Sequence, residues 1–435
     1  MLILRNRDML RLWLGQVLSQ AGTRMQQIAL AWWIVTCAAK ELSGGAGAAE
    51  EWPGGAGARL GIFMVAGALP PILLVKAAGR KVDSTPSKKV LVGADLLSAA
   101  VAAAMGATLA ASRLSFPWAC VGIFVLAGLQ SFFDPALNKT VSEVVEPVDM
   151  EEAVAFQSST QSLASFAGAV AGALLIDRLG LAGVTFLNAA SYLLSGLINA
   201  GLRMRYAQPA GAHQDSAGLS AWAILDRMPL VKRVLIGFGL VNFFMTPILL
   251  VLPLYVKVVL AGSATLLGTL EAGLWVGLVA GTAVSKWRGF ASCGGDEGSA
   301  GILRLGAKCL GVIGACILLP GVFSHRWLFM ALLFFAGAAL GVNNVKFVAL
   351  FQARVAPEHK GRFFALMAAL VSFTFPAAFF LFGLLTDFLD PRLVCVIQGL
   401  GILGLAAYFS RLAAASRSFE CAGSPEGGKP AAIVT

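Results

Sequence analysis

The chain's 435 residues are 58% hydrophobic and only 13% Asp, Glu, Lys or Arg, with a mean hydropathy of +0.79; that balance excludes a water-soluble domain and points to a protein set in a bilayer. The net charge of +10 does not indicate nucleic acid, because the Lys and Arg are scattered over short polar segments and form no basic stripe with interleaved aromatics. Seven scattered Cys without a CxxC pair exclude a disulfide framework and a zinc site, and nothing in the chain calls for a cofactor.

A bilayer core about 30 Å thick takes about 20 apolar residues per helical crossing, since each residue rises about 1.5 Å and every backbone amide must be bonded within its own segment. Segments of that length fall at 10–37, 60–79, 90–111, 117–141, 153–176, 181–202, 232–257, 264–285, 303–323, 327–352, 363–386 and 392–410. The pattern predicts an all-α polytopic membrane protein with twelve helices, and no alternating ten-residue segments suggest a barrel. The opening MLILRNRDMLRLWLGQVLSQ has basic residues before an apolar run, but that run continues through IALAWWIVT, too long for a signal peptide. It is read as the first crossing, with Trp32 and Trp33 as interfacial residues.

Basic residues concentrate in alternate loops: Arg5, Arg7, Arg80, Lys81, Lys88, Lys89, Arg203, Arg205, Lys232 and Arg233 lie on the side of the N-terminus, against few on the other side, such as Arg113 and Arg326. This places both termini in the cytoplasm and the chain in the plasma (cytoplasmic) membrane. The polar stretch RYAQPAGAHQDSAGLSAWAILDRMPL separates six crossings from six. The expected units are an N-terminal bundle at 1–204, a cytoplasmic connector at 205–230, a C-terminal bundle at 231–411 and a disordered tail at 412–435. The first outer loop, KELSGGAGAAEEWPGGAGAR, is of low complexity and reads as mobile. A weak repeat at a spacing of 210 residues sets 145–177 against 355–387, matching Pro147 to Pro357, Ser162 to Ser372 and Asp177 to Asp387.

Several phrases together carry a resemblance: RLWLGQVLSQAGTRMQQIAL, LPPILL, VDSTPSKKVLVGADLLSAA, FFDPALNKTVSEVVEPVDM, ILLVLPLY, TLEAGLWVGLVAG and ALFQARVAPEHKGRFFAL. The chain resembles the major facilitator superfamily, and within it the branch of macrolide-efflux and enterobactin-exporter-like proteins. The resemblance implies two pseudo-symmetric six-helix bundles with helices one, four, seven and ten around a central cavity. It also implies a cytoplasmic latch at the turn between helices two and three, whose loose pattern is G-x-x-x-D-R-x-G-R-[KR]. Gly79 and Asp83 fit its first positions and Lys88 its last, with Lys89 following, while Ser84, Pro86 and Ser87 replace Arg, Gly and Arg. The implied partner is the start of helix eleven at Gly361 and Arg362, where a helix N-terminus attracts a carboxylate by about 0.3 to 1 kcal/mol.

A charge at mid-bilayer costs at least about 2.5 kcal/mol, so each one within a crossing asks for a role. On the implied cavity helices the candidates for substrate binding are Gln20, Arg24, Asp134, Asn242, Asn343, Asn344 and Lys346. Arg24 and Lys346, as two cavity cations, would suit an anionic group; the bland alternative is that these residues only hold helices in register. Glu271 and then Asp134 are the candidates for proton coupling, because a carboxyl at membrane depth can load and release a proton as water access alternates. The alternatives are a lipid-facing or interface-facing Glu271 kept neutral and an Asp134 paired with Lys139 on its own helix. Asp95 reads as a near-interface acid pairing with Lys88 or Lys89. The Gly-rich GAVAGA (168–173) and GLWVGLVAG (273–281) suit close packing or a gating hinge.

No G-x-x-x-x-G-K-[ST] loop occurs, so ATP is not the direct energy source. The three His lie in predicted loops and HExxH is absent, so the chain reads as a transporter and not an enzyme. The expectation is a monomeric, proton-coupled exporter of amphipathic small molecules, drug or siderophore-like, working by alternating access; its partners are that substrate, protons and lipid, and no metal. A lysolipid flippase on the same scaffold is the alternative.

Overall fold

The structure is a computed structural model that describes residues 6–42, 54–146, 149–204, 228–285, 298–355 and 357–422. Most of the expected connector, most of the first outer loop and residues 423–435 fall outside the described residues. The fold consists of helices α1 (Arg7–Leu42), α2 (Ala56–Ser84), α3 (Ser87–Ala110), α4 (Phe116–Val144), α5 (150–179), α6 (181–200), α7 (Pro229–Val259), α8 (Ala264–Val284), α9 (Gly298–Val322), α10 (Arg326–Arg354), α11 (Pro357–Phe388) and α12 (Pro391–Ala422). Among the described residues there is no strand. The expected twelve helices are all present, and α12 runs past the boundary drawn at 411.

The local causes of these breaks are legible. α5 and α6 follow each other without a loop and are separated only by Gly180, whose φ of +66° and ψ of 177° suit a residue without Cβ. In α7 the regular hydrogen bonding is interrupted between Met245 and Ile248, where Pro247 lacks an N–H, and the helix ends in a π turn at Tyr255–Val259. Among the described residues ten spans are long and apolar enough to cross a bilayer. α1 and most of α5 are not among them, and Gln16, Gln20, Arg24, Gln26 and Gln27 are spaced along α1.

The helices pack as two bundles, α1–α6 and α7–α12. Within the second, Gly277 and Gly281 of α8 lie against the Phe334 and Ala338 carbonyls of α10, and Gly337 and Gly341 of α10 lie equally close to the α8 backbone. The structure therefore gives the Gly-rich stretch of α8 a close-packing role. Gly168 and Gly172 do the same for α5 against Ala21 and Met25 of α1.

With twelve helices alternating in direction, the start of α1 and the end of α12 lie on one face, and the bundles close against each other on the other, the far face. There Gly57 and Gly61 of α2 meet Gly383 of α11 backbone to backbone. Asp387, at the end of α11, accepts hydrogen bonds from the N–H groups of Gly55 (2.8 Å), Gly57 (2.8 Å) and Ala58 (3.2 Å) at the start of α2. In the pseudo-equivalent place, Asp177 at the end of α5 accepts from the Thr265 hydroxyl at the start of α8. These are the two Asp that the 210-residue repeat matches, and each carboxylate sits at the N-terminus of a helix from the other bundle, where the helix dipole favours it.

Candidate functional site

α1 carries Gln20, Thr23, Arg24 and Gln27 at positions i, i+3, i+4 and i+7, a polar stripe turned toward the bundle axis. Arg24 reaches across to the other bundle: its Nη2 donates to Glu271 Oε2 of α8 at 2.5 Å, with side-chain exposures of 16% and 4%. The guanidinium also lies 5.8 Å from the ring centre of Trp275, one turn further along α8, and donates from Nη1 to Gln27 at 3.4 Å. Glu271 is thus neither lipid-facing nor at the rim, and its neighbour is the cation of α1.

Two cavities meet at this pair. The larger, about 360 Å³, is lined mainly by apolar side chains including Ile28, Phe63, Met64, Ile123, Phe375 and Phe379. The second, about 320 Å³, lies on the chain-end side and is polar, with Gln20, Asp134, Gln161, Ser165 and Trp275 in its wall. Thr23, Arg24, Gln27 and Gln130 line both. Apolar walls with a few convergent polar groups are what a small amphipathic ligand needs. Arg24 Nε and Trp275 Nε1 are buried donors without a partner, so each can serve an acceptor oxygen on a ligand.

The charged residues lining the two cavities are Arg24, Glu271 and Asp134. The first two cancel, leaving Asp134, which is exposed to the polar cavity and accepts from Gln130 at 2.7 Å. Its expected partner Lys139 instead donates to the Val82 carbonyl at 2.7 Å, capping the end of α2. Lys346 is half-buried and is not among the lining residues of either cavity. In these two cavities the expected pair of cations is represented by Arg24 alone, beside the acids Glu271 and Asp134.

Of the expected binding residues the structure brings Gln20, Arg24 and Asp134 together with Glu271. Those on α7 and α10 are not among the lining residues of these two cavities. Asn242 donates to the Phe238 carbonyl of its own helix at 2.9 Å; Asn343 is buried facing Gly306 of α9; Asn344 is exposed and is no part of the lining. At the turn after α2, Gly79 has open space around it and Asp83 and Lys89 are exposed. Lys88 donates to the Leu202 carbonyl of its own bundle at 2.9 Å. Gly361 and Arg362 lie in the first turns of α11, with side chains outside the described residues. Asp95 does not pair with Lys88 or Lys89: it is buried among Ser19, Ser195 and Asn199. Thr23, Gln27, Gln130 and Trp275 were not singled out by sequence, although the α1 stripe and the four-residue step from Gln130 to Asp134 carried the signal.

The family model described as the Major Facilitator Superfamily matches residues 12–292, more than half of the chain. Macrolide efflux protein A of Streptococcus pyogenes is 23% identical over 358 residues, covering 80% of this chain and 85% of that protein. Among solved structures, the POT family transporter PepTSo superposes with a TM-score of 0.68 at 11% identity, covering 96% of this chain and 99% of that one. A bacterial homologue of the human lysosomal transporter Spinster, in an inward-facing and unoccupied conformation, gives 0.67 at 14% identity and coverages of 97% and 98%. A bacterial homologue of the iron transporter ferroportin, also inward-facing, gives 0.65 at 14% identity, covering 94% and 98%.

Proposed function

The chain belongs to the Major Facilitator Superfamily, and from that premise, as a multi-pass membrane transporter of small molecules, we propose that it exports amphipathic molecules bearing a basic group in exchange for protons. The observation that carries this reading is the Arg24–Glu271 pair, which joins the two bundles at the waist between an apolar and a polar cavity. The distant likeness to a macrolide efflux protein supports the direction.

With the far face closed, the chain-end side is the open one, and the positive-inside asymmetry makes it cytoplasmic. A substrate enters from there, places its cation on Asp134 and lays its apolar body against Phe63, Met64, Phe375 and Phe379. Gln27 and Gln130 orient it, and Arg24 Nε and Trp275 Nε1 bind its acceptor oxygens. Glu271 is a carboxylate bound to Arg24 or a neutral acid, and not both at once. When the bundles rock and the pair separates, Glu271 faces the outside without its cation and takes up a proton; re-forming the pair drives that proton off toward the cytoplasm. Asp134 serves substrate and proton in turn, so that the two exclude each other. In this scheme Asp83 latches to the start of α11 in the outward-open state, and the transporter works as a monomer.

The test is reconstitution in proteoliposomes with tetraphenylphosphonium as a cationic amphiphile. A pH gradient drives its accumulation, and dissipating the gradient abolishes it; Glu271→Gln retains downhill exchange but no longer responds to the gradient. Equal flux with and without the gradient, or movement of a labelled lysolipid with none of the cation, would overturn the reading.

A further inference from the structure

Behind the cavity wall lies a second polar assembly that the transport cycle above does not use. α6 carries Thr185, Asn188, Tyr192, Ser195 and Asn199, a stripe at helical spacing, and α1 answers it with Gln16, Ser19, Thr23 and Gln26. At its centre is Asp95 of α3, 1% exposed. Its carboxylate accepts from Ser195 Oγ at 2.7 Å, Asn199 Nδ2 at 3.0 Å and Ser19 Oγ at 3.5 Å.

All three donors are neutral. Arg24 of α1 is engaged by Glu271 and Arg11 by Asp8 and the Gly201 carbonyl. On α3 itself Lys88 is engaged by the Leu202 carbonyl, and Lys89 is exposed. From α4, Lys139 and Glu143 are engaged by the Val82 carbonyl and the Ser87 hydroxyl. From α6 the titratable neighbour is Tyr192, whose hydroxyl is held by Thr23. A carboxylate buried with no countercharge among the described residues is costly, because burial penalises an unpaired charge. Two further observations mark the cluster as fit for a cation. Asn199 Oδ1 is a buried acceptor with no hydrogen-bond partner, in a residue 0% exposed. Both Asp95 oxygens, the Ser19 and Ser195 hydroxyls and the Asn199 amide oxygen offer five oxygens, the ligand type hard cations select.

We propose that Asp95, Ser19, Ser195 and Asn199 form a binding site for a small monovalent cation, Na+ or a proton, inside the N-terminal bundle and one layer behind the substrate cavity. The cluster adjoins the wall of the apolar cavity, where Thr23 and Tyr192 both stand. Their hydroxyls are 2.7 Å apart, Thr23 Oγ1 donates to the Ser19 carbonyl at 2.7 Å, and the Ser19 hydroxyl reaches Asp95. Bound there, the cation ties α1 to α3 and α6, and α1 is the helix that carries Arg24.

The experiment measures the thermal unfolding midpoint of the full chain in detergent, titrating NaCl against choline chloride at fixed ionic strength and, separately, lowering the pH without Na+. The wild type is stabilised in one of the two titrations: a response to Na+ identifies a sodium site and a response to acid alone a proton site. Asp95→Asn, which mimics the neutral form, loses that response. Ser195→Ala keeps the fold if Asp95→Asn does not; it raises the half-stabilising Na+ concentration about tenfold or more if the ligand is sodium, and shifts the pH midpoint if it is a proton. The response persists in a Glu271→Gln background, which separates this site from the Arg24–Glu271 pair. No response in the wild type, or an unchanged response in either variant, overturns the proposal.

Discussion

Replacing Glu271 by Gln tests the contact on which the two bundles close. The pair is short, 2.5 Å, and nearly enclosed, so removing one partner strands a buried charge, a change that costs about 3 to 5 kcal/mol. The lower end applies here, because Arg24 lines both cavities and keeps Trp275 at 5.8 Å, a cation–π contact of about 0.5 to 1 kcal/mol. Since the pair joins α1 to α8, a loss of about 3 kcal/mol falls on the far-face-closed state and shifts its population by about a hundredfold. Spin labels at Trp118 and Phe388, both exposed and set at far-face ends of opposite bundles, read that population as a distance distribution. The double replacement Arg24→Met with Glu271→Leu removes both charges and returns the distribution toward the wild type, as replacing a buried pair by apolar groups generally does. A double-mutant cycle giving a coupling below about 0.5 kcal/mol would refute the reasoning.

Two further outcomes follow from the packing. Asp387→Ala removes the acceptor of three N–H groups at the start of α2 and weakens far-face closure by about 1 to 2 kcal/mol, with Asp387→Asn intermediate, read with the same label pair. Gly281→Val drives a side chain into the Ala338 carbonyl and lowers the unfolding midpoint or abolishes folding, whereas Gly311→Ala, with nothing within 4 Å, stabilises by about 0.5 to 1 kcal/mol.

The number and order of the helices were legible because crossing a bilayer imposes one length and one composition on every segment. The pairing of Arg24 with Glu271 was not, since 247 residues separate them and no local pattern says which two helices of a twelve-helix bundle face each other at a given depth. Asp95 shows the same limit in reverse. Its seven-residue distance from Lys88 suggested a local partner, but helix geometry turns it to α6, and only the α6 stripe from Asn188 to Asn199 carries that information. The far-face acids were visible as a matched pair in the repeat, although the helix starts they bind lie in the other bundle and were not predicted.

That matched pair also speaks to descent. Asp177 and Asp387 each grip the start of a helix belonging to the opposite bundle, and both grips sit at corresponding points of a duplicated unit. A chain of half this length, docking side by side with a second copy of itself in the same orientation, would make both grips with one acid and one helix start. Fusing the copies then frees each acid to diverge, which accounts for a triple amide clasp on one side facing a single hydroxyl on the other.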